Sequence, residues 1–317
     1  CTRLLGRPGD LPQRVLDRLP YAVRIEGSEA VCNLLYAEVR AAEVYGQLAL
    51  TLVNAAQETM GQWVEGVVLT VPAAADDRYR IQARAAVEAQ GIQVRRLVNQ
   101  PTAALLAASL PNTASTVAVV YCGDGSTEVT LARCQQGQVA ILATAGDLWL
   151  GREELIWSVT DRLNDRFRNQ AGIDVYAVSD GPTAALGLRH AAAEAIQNLR
   201  QTLKTTVVID HGGGFAQDLV TYLHRTEIES WLTPDFERVR TLCQRALAQA
   251  GLMATGVDAV LLVGDGTEMP ALREVIADCF ARPVADLLAT DAPDLPVLGA
   301  ALAQSGGLAW DVTPYAL

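Results

Sequence analysis

Apolar positions along this chain switch repeatedly between helical and strand spacing, and the switches mark out its elements. Residues 1–35 are broken up by Pro and Gly and are only weakly periodic, which predicts loops and short strands. Residues 39–63 place Val44, Leu48, Leu50, Leu52, Val53 and Ala56 at helical spacing, before a break at Gly66. A strand over 67–71 stops at Pro72, and a polar helix runs from about Asp76 to Gln90, with Gly91 as its stop. A strand at 94–98, a Gln100-Pro101 turn and an alanine-rich helix at 102–110 complete a β-α-β-α half. Pro111-Asn112 closes it, so the first lobe is assigned to residues 1–112 and the second to 113–307, with a smaller subdomain at 150–233.

The second half opens with an apolar strand at 117–121, a Gly123-Asp124-Gly125 turn and a second strand on which Val129 and Leu131 alternate with polar neighbours. A third strand at 138–143 predicts an antiparallel meander. Helices are predicted at 151–167, 183–203, 234–250, 269–280 and 298–303, with a loop at 169–182 and a strand-like end at 311–317. Short strands at 207–210 and 218–223 flank His211-Gly212-Gly213-Gly214. That string is similar to an esterase oxyanion loop, but the chain has no Gly-x-Ser-x-Gly elbow, and a hairpin turn is the reading adopted.

Candidate chemistry enters with the glycine turns. A turn without side chains lets backbone N–H groups approach a phosphate. The first, at Gly123 to Ser126, has a double at 260–267, where an apolar strand again runs into Gly264-Asp265-Gly266-Thr267. Two such turns far apart in one chain predict two lobes with a cleft between them.

Length and charge narrow the picture. A chain of 317 residues favours two lobes, and a half-hydrophobic composition supports a substantial core. The net charge of -11 argues against nucleic acid as the main partner; the arginines at 78, 80, 84, 95 and 96 read as a solvated face. No apolar run reaches the roughly 18 residues a membrane span needs. Six dispersed cysteines, without a Cys-x-x-Cys pair, fit reduced thiols in a cytoplasm rather than zinc or a disulfide framework. No secretory signal is visible, although the chain begins at Cys1 without Met.

Residues 67–107, VVLTVPAAADDRYRIQARAAVEAQGIQVRRLVNQPTAALLA, resemble the segment of the heat-shock 70-kDa (DnaK-type) chaperone family that reads VPA-x-x-x-D-x-x-R followed by N-E-P-T-A-A. Further matches keep their order: Arg3-Leu4-Leu5-Gly6-Arg7, Thr144-Ala145-Gly146-Asp147 with Leu150-Gly151, Val263-Gly264 with Pro270, Gly299-Ala300-Ala301, and Asp311-Val312 with Pro314. The spacing from Arg7 through Leu19-Pro20-Tyr21 looks most like the bacterial iron-sulphur branch. The resemblance implies an α/β, two-lobed actin-like ATPase (ribonuclease H-like) fold with ATP and magnesium in its cleft. It also implies that the opening strands and first phosphate hairpin of the first lobe are missing, that the substrate-binding β-domain is absent, and that 308–317, with Leu308, Ala309 and Trp310, form a linker-like tail.

Against the family pattern several positions depart. Thr2 stands at the lysine that orients the attacking water, Gln100 at a glutamate, and Tyr121 at the metal-side aspartate of D-L-G-G-G-T. Asp124 and Asp265 replace glycines, Arg152 takes a glycine position, and Glu268 replaces the arginine near adenine. Ser126 and Glu128 are conservative swaps, and Pro72 and Arg80, linked in the family to communication between nucleotide and substrate, are retained. A carboxylate about 4 Å from a phosphate charge costs roughly 4 kcal/mol at an effective dielectric of about 20, and each turn carries one. The resulting expectation is a degenerate ATPase with no intact catalytic residue, no metal site and no tightly held cofactor. ATP and magnesium would bind weakly at a vestigial cleft of Gly123, Gly125, Ser126, Gly151, Gly264 and Gly266. The chain would act through a protein partner or oligomer in the cytoplasm, without nucleic acid or membrane. An active ATP-dependent chaperone with strands supplied elsewhere, and an inactive remnant, stay open beside it; a sugar kinase lacks a general base in the first lobe.

Overall fold

Where the chain begins to fold, small elements come first, as the Pro- and Gly-punctuated opening predicts. The computed structural model describes residues 2–6, 11–16, 18–19, 21–27, 29–34, 36–111, 114–135, 138–178, 181–209, 218–289, 294–304 and 309–310. A short helix α1 (Gln13–Leu16) precedes an antiparallel sheet of β1 (Ala22–Glu26), β2 (Glu29–Asn33) and β3 (Glu38–Arg40). Helix α2 (Ala41–Met60), strand β4 (Val67–Val71), helix α3 (Asp77–Glu88), strand β5 (Val94–Asn99) and helix α4 (Gln100–Ala107) follow. Strands β4 and β5 pair in parallel, and α3 starts where Asp76 accepts a hydrogen bond from the Tyr79 amide (2.9 Å).

Two expectations change in this half. The Gln100-Pro101 turn is instead the first turn of α4, where the missing proline N–H has no helical partner to lose. On α2 the apolar residues do not form one buried stripe: Leu48 and Leu52 are 53% and 72% exposed, while Tyr45, Ala49, Leu50 and Val53 pack on the sheet side. The helix is held close to α3 at Gly46, where a Cβ would lie 2.3 Å from the Ala86 carbonyl oxygen. That approach fixes which face turns inward.

The second half centres on a six-stranded sheet, built from β6 (Thr116–Cys122), β7 (Thr127–Gln135), β8 (Gln138–Asp147), β11 (Ala259–Val263), β12 (Leu287–Ala289) and β13 (Ala309–Trp310) in the order β12-β11-β6-β7-β8-β13. Strands β6, β7 and β8 make the predicted antiparallel meander, while β11 joins β6 in parallel. Around it lie α5 (Arg152–Ala171), α6 (Gly181–Leu199), the β9 (Lys204–Ile209) and β10 (Leu219–His224) hairpin, α7 (Arg225–Ala250), α8 (Pro270–Cys279) and α9 (Leu295–Gln304). The unbroken apolar run of β6 is explained by burial on both faces. Ala118 and Val120 face the core of α5 and α7, and Val117 and Val119 face α4 and Leu295.

Helices α4 and α9 tie the β4–β5 layer to this sheet. They cross so closely that a Cβ on Gly299 would fall 1.6 Å from the Ala103 carbonyl oxygen. Helix α7 starts at Arg225, well before the predicted Pro234, because the buried positions Ile228, Leu232, Phe236 and Val239 continue through the proline and packing outweighs its break. Residues 169–182 are less loop-like than predicted, holding the end of α5, a 3-10 turn at Val175–Ala177 and the start of α6. Ala309 and Trp310, read as part of a linker, pair in parallel with β8. Cys1, Arg7, Pro20, Asn112, His211 to Gly214, Leu308, Asp311, Val312 and Pro314 lie outside the described residues. Among the described residues no helix is long and apolar enough to cross a membrane.

Candidate functional site

Because β11 runs alongside β6 with Val263 opposite Tyr121, the two glycine turns leave the same end of the same sheet side by side. Parallel pairing stacks them at one edge of the cleft, both within the second half of the chain. Gly264 has φ 90°, and a Cβ there would lie 2.4 Å from the Cys122 carbonyl oxygen, while one on Gly266 would lie 2.1 Å from Cys122 Sγ. The second turn therefore rests directly on the first strand's end. The packed Cys122 thiol is pushed up to about 11 by burial.

Gly151 sits on the other side of the hairpin, its absent Cβ 2.5 Å from the Asp124 carbonyl oxygen. Two amides at the start of α5 are already used: Arg152 N donates to the Gly123 carbonyl (2.9 Å) and Glu153 N to that of Asp124 (3.0 Å). A helix N-terminus ordinarily presents such amides to anions; here hairpin carbonyls take them.

A cavity of about 250 Å³ opens in front of the hairpin. The structure brings Pro72, Gln100, Tyr121, Gly123, Gly125 and Ser126 together on its wall, with Arg3 as the cation among its lining residues. Gly151, Gly264 and Gly266 do not line it; they support it from behind. Arg80 stands further back, donating to Asn99 Oδ1 (2.6 Å), the Ala75 carbonyl (3.1 Å) and the Pro72 carbonyl (3.4 Å), so it binds the loop after β4 to the end of β5. Thr2 lies in a 3-10 turn, Thr2–Leu4, and its side chain is outside the described residues. The Tyr121 ring folds back over Gly123, with Oη 2.7 Å from where a Cβ would be, and burial pushes its phenol up.

Ion pairs at the site join residues far apart in sequence, and this changes the electrostatic argument. Asp124 accepts from Arg152 Nε (2.8 Å), so the two departures from the family pattern compensate each other. Glu268 pairs with Arg200, whose other nitrogen donates to the Asp265 carbonyl (3.0 Å). Arg3 donates to Glu154 Oε1 (2.5 Å) and lies 4.8 Å above the Trp149 ring. The repulsion expected of Asp124 is thus replaced by local neutralisation, whereas for Asp265, the carboxylate of the second turn, that expectation stands; Glu268, at the arginine position, is paired as well. The Asp265 contribution here is its backbone carbonyl.

Behind the hairpin Glu128 is fully buried, and its carboxyl rises to about 7 through desolvation. The Ala73 and Ala74 amides, Ser126 and Arg80 oppose that shift, yet neither carboxylate oxygen has a well-aligned hydrogen bond. Among the described residues no three His, Cys, Asp or Glu side chains group as metal ligands. Sequence reasoning missed Arg200 and the Arg3 pairing, which no local spacing marks. Glu154 carried a signal: an acid three residues after Gly151, whose amide it accepts (3.0 Å), is a helix-start pattern.

A mixed sheet with glycine turns at strand ends, bound through paired helices to a parallel β-α-β layer, is an α/β arrangement of the actin-like ATPase class. The chain belongs to the Hsp70 family: residues 1–307 match the family described as Hsp70 protein, and the fold is that of its ATPase domain. It is similar to a "Chaperone protein HscA homolog" from Acidithiobacillus ferrooxidans, at 30% identity over 303 residues, covering 95% of this chain and 46% of that protein. It is also similar to "Heat shock 70 kDa protein, mitochondrial" from Solanum tuberosum, at 30% identity over 316 residues, covering 98% and 46%. The chain thus spans just under half the length of these relatives.

Proposed function

We propose that this Hsp70 nucleotide-binding-domain homologue has lost ATP hydrolysis and acts by binding a protein partner or by self-association. The carrying observation is that three charged groups in and beside the cleft pair within the chain, Asp124 with Arg152, Glu268 with Arg200, and Arg3 with Glu154, while the buried Arg3 Nε has no hydrogen-bond partner among the described residues. A magnesium-bound triphosphate does not fit these residues. It would meet a tyrosine at the metal side, helix amides already engaged by hairpin carbonyls, and a lining arginine committed to a carboxylate. The cavity of about 250 Å³ is also below the roughly 300–1,000 Å³ usual for ligand sites.

For partner binding, support comes from the β4–β5 sheet, which gains no third strand among the described residues, and from exposed Leu48, Leu52, Met60 and Trp63 on and just beyond α2. An unpaired strand edge beside apolar surface is suited to another chain. The compartment assigned is the cytoplasm, and iron-sulphur cluster assembly is the pathway that the opening segment's resemblance suggests.

Isothermal titration of the full chain with magnesium-ATP should give no saturable heat, and phosphate release should stay at background. Low-micromolar binding would sink the lost-cleft half of the proposal. The second reading, an active ATP-dependent chaperone, is favoured by Gly123, Gly125, Ser126 and Gln100 still lining one cavity. Phosphate release above background would select it; co-purification of one defined protein without nucleotide would select the partner module.

A further inference from the structure

Away from the cleft, two cysteines with no part in the function above meet between α7 and α8. Cys243 is fully buried on α7, and Cys279, the last residue of α8, is half-buried. Their thiols interact directly, the contact that most strongly separates the two: Cys243 is raised and Cys279 lowered from the ordinary thiol value. Arg240, one turn before Cys243, places Nη1 4.0 Å from Cys279 Sγ. Its Nε engages Glu237 (3.2 Å) and its Nη2 lies 3.8 Å from Asp278, so the guanidinium is steered by two carboxylates toward the end of α8. A cation beside one sulfur, with a second thiol in contact, is the arrangement that selects an attacking and a resolving cysteine.

We propose that Cys279 and Cys243 are a peroxide-responsive pair that closes reversibly into a disulfide fastening α7 to α8. The Cys279 thiolate attacks hydrogen peroxide; an S–O bond forms, the O–O bond breaks and hydroxide leaves. The Cys243 sulfur then attacks the sulfenic sulfur of Cys279; the S–S bond forms, the S–O bond breaks, and the departing oxygen leaves as water. In total two thiols lose two electrons and two protons, and peroxide is reduced to two waters. A thiol reductant reverses the change. The ring so closed contains β11 and the Gly264 turn, so oxidation would stiffen the more deeply packed of the two glycine turns. This inference stands whether or not the cleft binds nucleotide.

Other cysteines supply controls. Cys122 and Cys32 are buried and raised by burial, and Cys134, exposed to an intermediate degree like Cys279, is also raised by burial, with no cation among the causes. In the full chain exposed to hydrogen peroxide, peptide mapping should find a 243–279 linkage, two alkylatable thiols lost, and their recovery with dithiothreitol. Iodoacetamide should label Cys279 severalfold faster than Cys134, and Arg240→Gln should reduce that advantage, and Cys243→Ala reduce it further, while leaving Cys134 unchanged. In Cys243→Ala a sulfenic-acid trap should mark Cys279. Should that buried substitution unfold the chain, Cys279→Ser replaces it, and Cys243 should then stay reduced under peroxide. Equal labelling of Cys134 and Cys279, only intermolecular disulfides, or oxidation of Cys243 in Cys279→Ser would overturn the proposal.

Discussion

The two glycine turns share the pattern Gly-Asp-Gly-Ser/Thr, leave neighbouring strands, and are held in opposite ways. At the first turn the glycines face side chains: Gly125 sits near the flexible Arg3 side chain and Gly123 beneath Tyr121. At the second turn they face a strand end: Gly264 and Gly266 press on Cys122, and Gly264 adopts φ 90° and ψ 150°. Glycine at the second turn is therefore demanded by the fold itself, with no phosphate needed to explain it. The difference teaches that a glycine pattern alone does not distinguish a ligand cradle from a backbone crossing.

The sharpest way to break this comparison is to add one methyl group to each turn. Gly264→Ala places a side chain in a backbone region reserved for glycine and against a carbonyl oxygen, so it should destabilise the protein by about 3 kcal/mol or more. Gly125→Ala should cost less than about 0.5 kcal/mol, since the Arg3 side chain at 3.1 Å can shift. Urea unfolding of both variants measures the contrast, and equal losses would remove it.

A second test concerns what supports the first turn from behind. Glu128 has a folded-state value of about 7 against an ordinary 4.5, so the folded protein holds a proton that the unfolded chain has released. Stability is therefore greatest below about pH 4.5 as far as this group is concerned, falls as pH rises through 7, and stays lowered above it. The interval corresponds to about 3 kcal/mol at most. Glu128→Gln should flatten that part of the pH–stability curve and stabilise the protein at pH 8. An unchanged slope between pH 5 and 7.5 would show that the carboxyl is not desolvated.

Much of this was legible in the sequence where neighbours along the chain decide the outcome. The β6–β7–β8 meander and α3, with its Asp76 cap and the left-handed Gly91 behind it, follow from local spacing and turn chemistry, whereas α2 stops at Gly61 rather than Gly66 and α5 runs past Phe167 to Gly172. Pro234 misled because its cost is local while the Ile228–Val239 stripe that overrides it is tertiary. The side-by-side turns were hidden because parallel pairing joins strands more than a hundred residues apart. At the site, departures from the family pattern were visible one by one at Tyr121, Asp124, Arg152 and Glu268. Their pairing was not, since Arg152 reaches Asp124 and Arg200 reaches Glu268 only through the folded chain.

Those pairs give the next contrast, at smaller energies. The Arg200 side chain is only 9% exposed and serves both Glu268 and the Asp265 carbonyl, so Arg200→Ala should cost about 2 kcal/mol through the carbonyl left without its donor. A loss below about 0.5 kcal/mol in urea unfolding would mean that the second turn does not depend on it.

The smallest effect belongs to the open turn. Asp124 is 73% exposed in its pair with Arg152, and an ion pair in that setting contributes roughly 0–1 kcal/mol. A double-mutant cycle with Asp124→Ala and Arg152→Ala should give a coupling in that range, shrinking further at high salt. The same variants carry a separate reading of the cleft. If pairing with Arg152 is what keeps Asp124 from repelling an anion, Arg152→Ala should weaken any residual ATP binding, while Asp124→Ala should strengthen it. Equal affinities in the two variants would show that the hairpin's charge does not act on a ligand, and would move the cause of a closed cleft to the Tyr121 ring and the engaged helix amides.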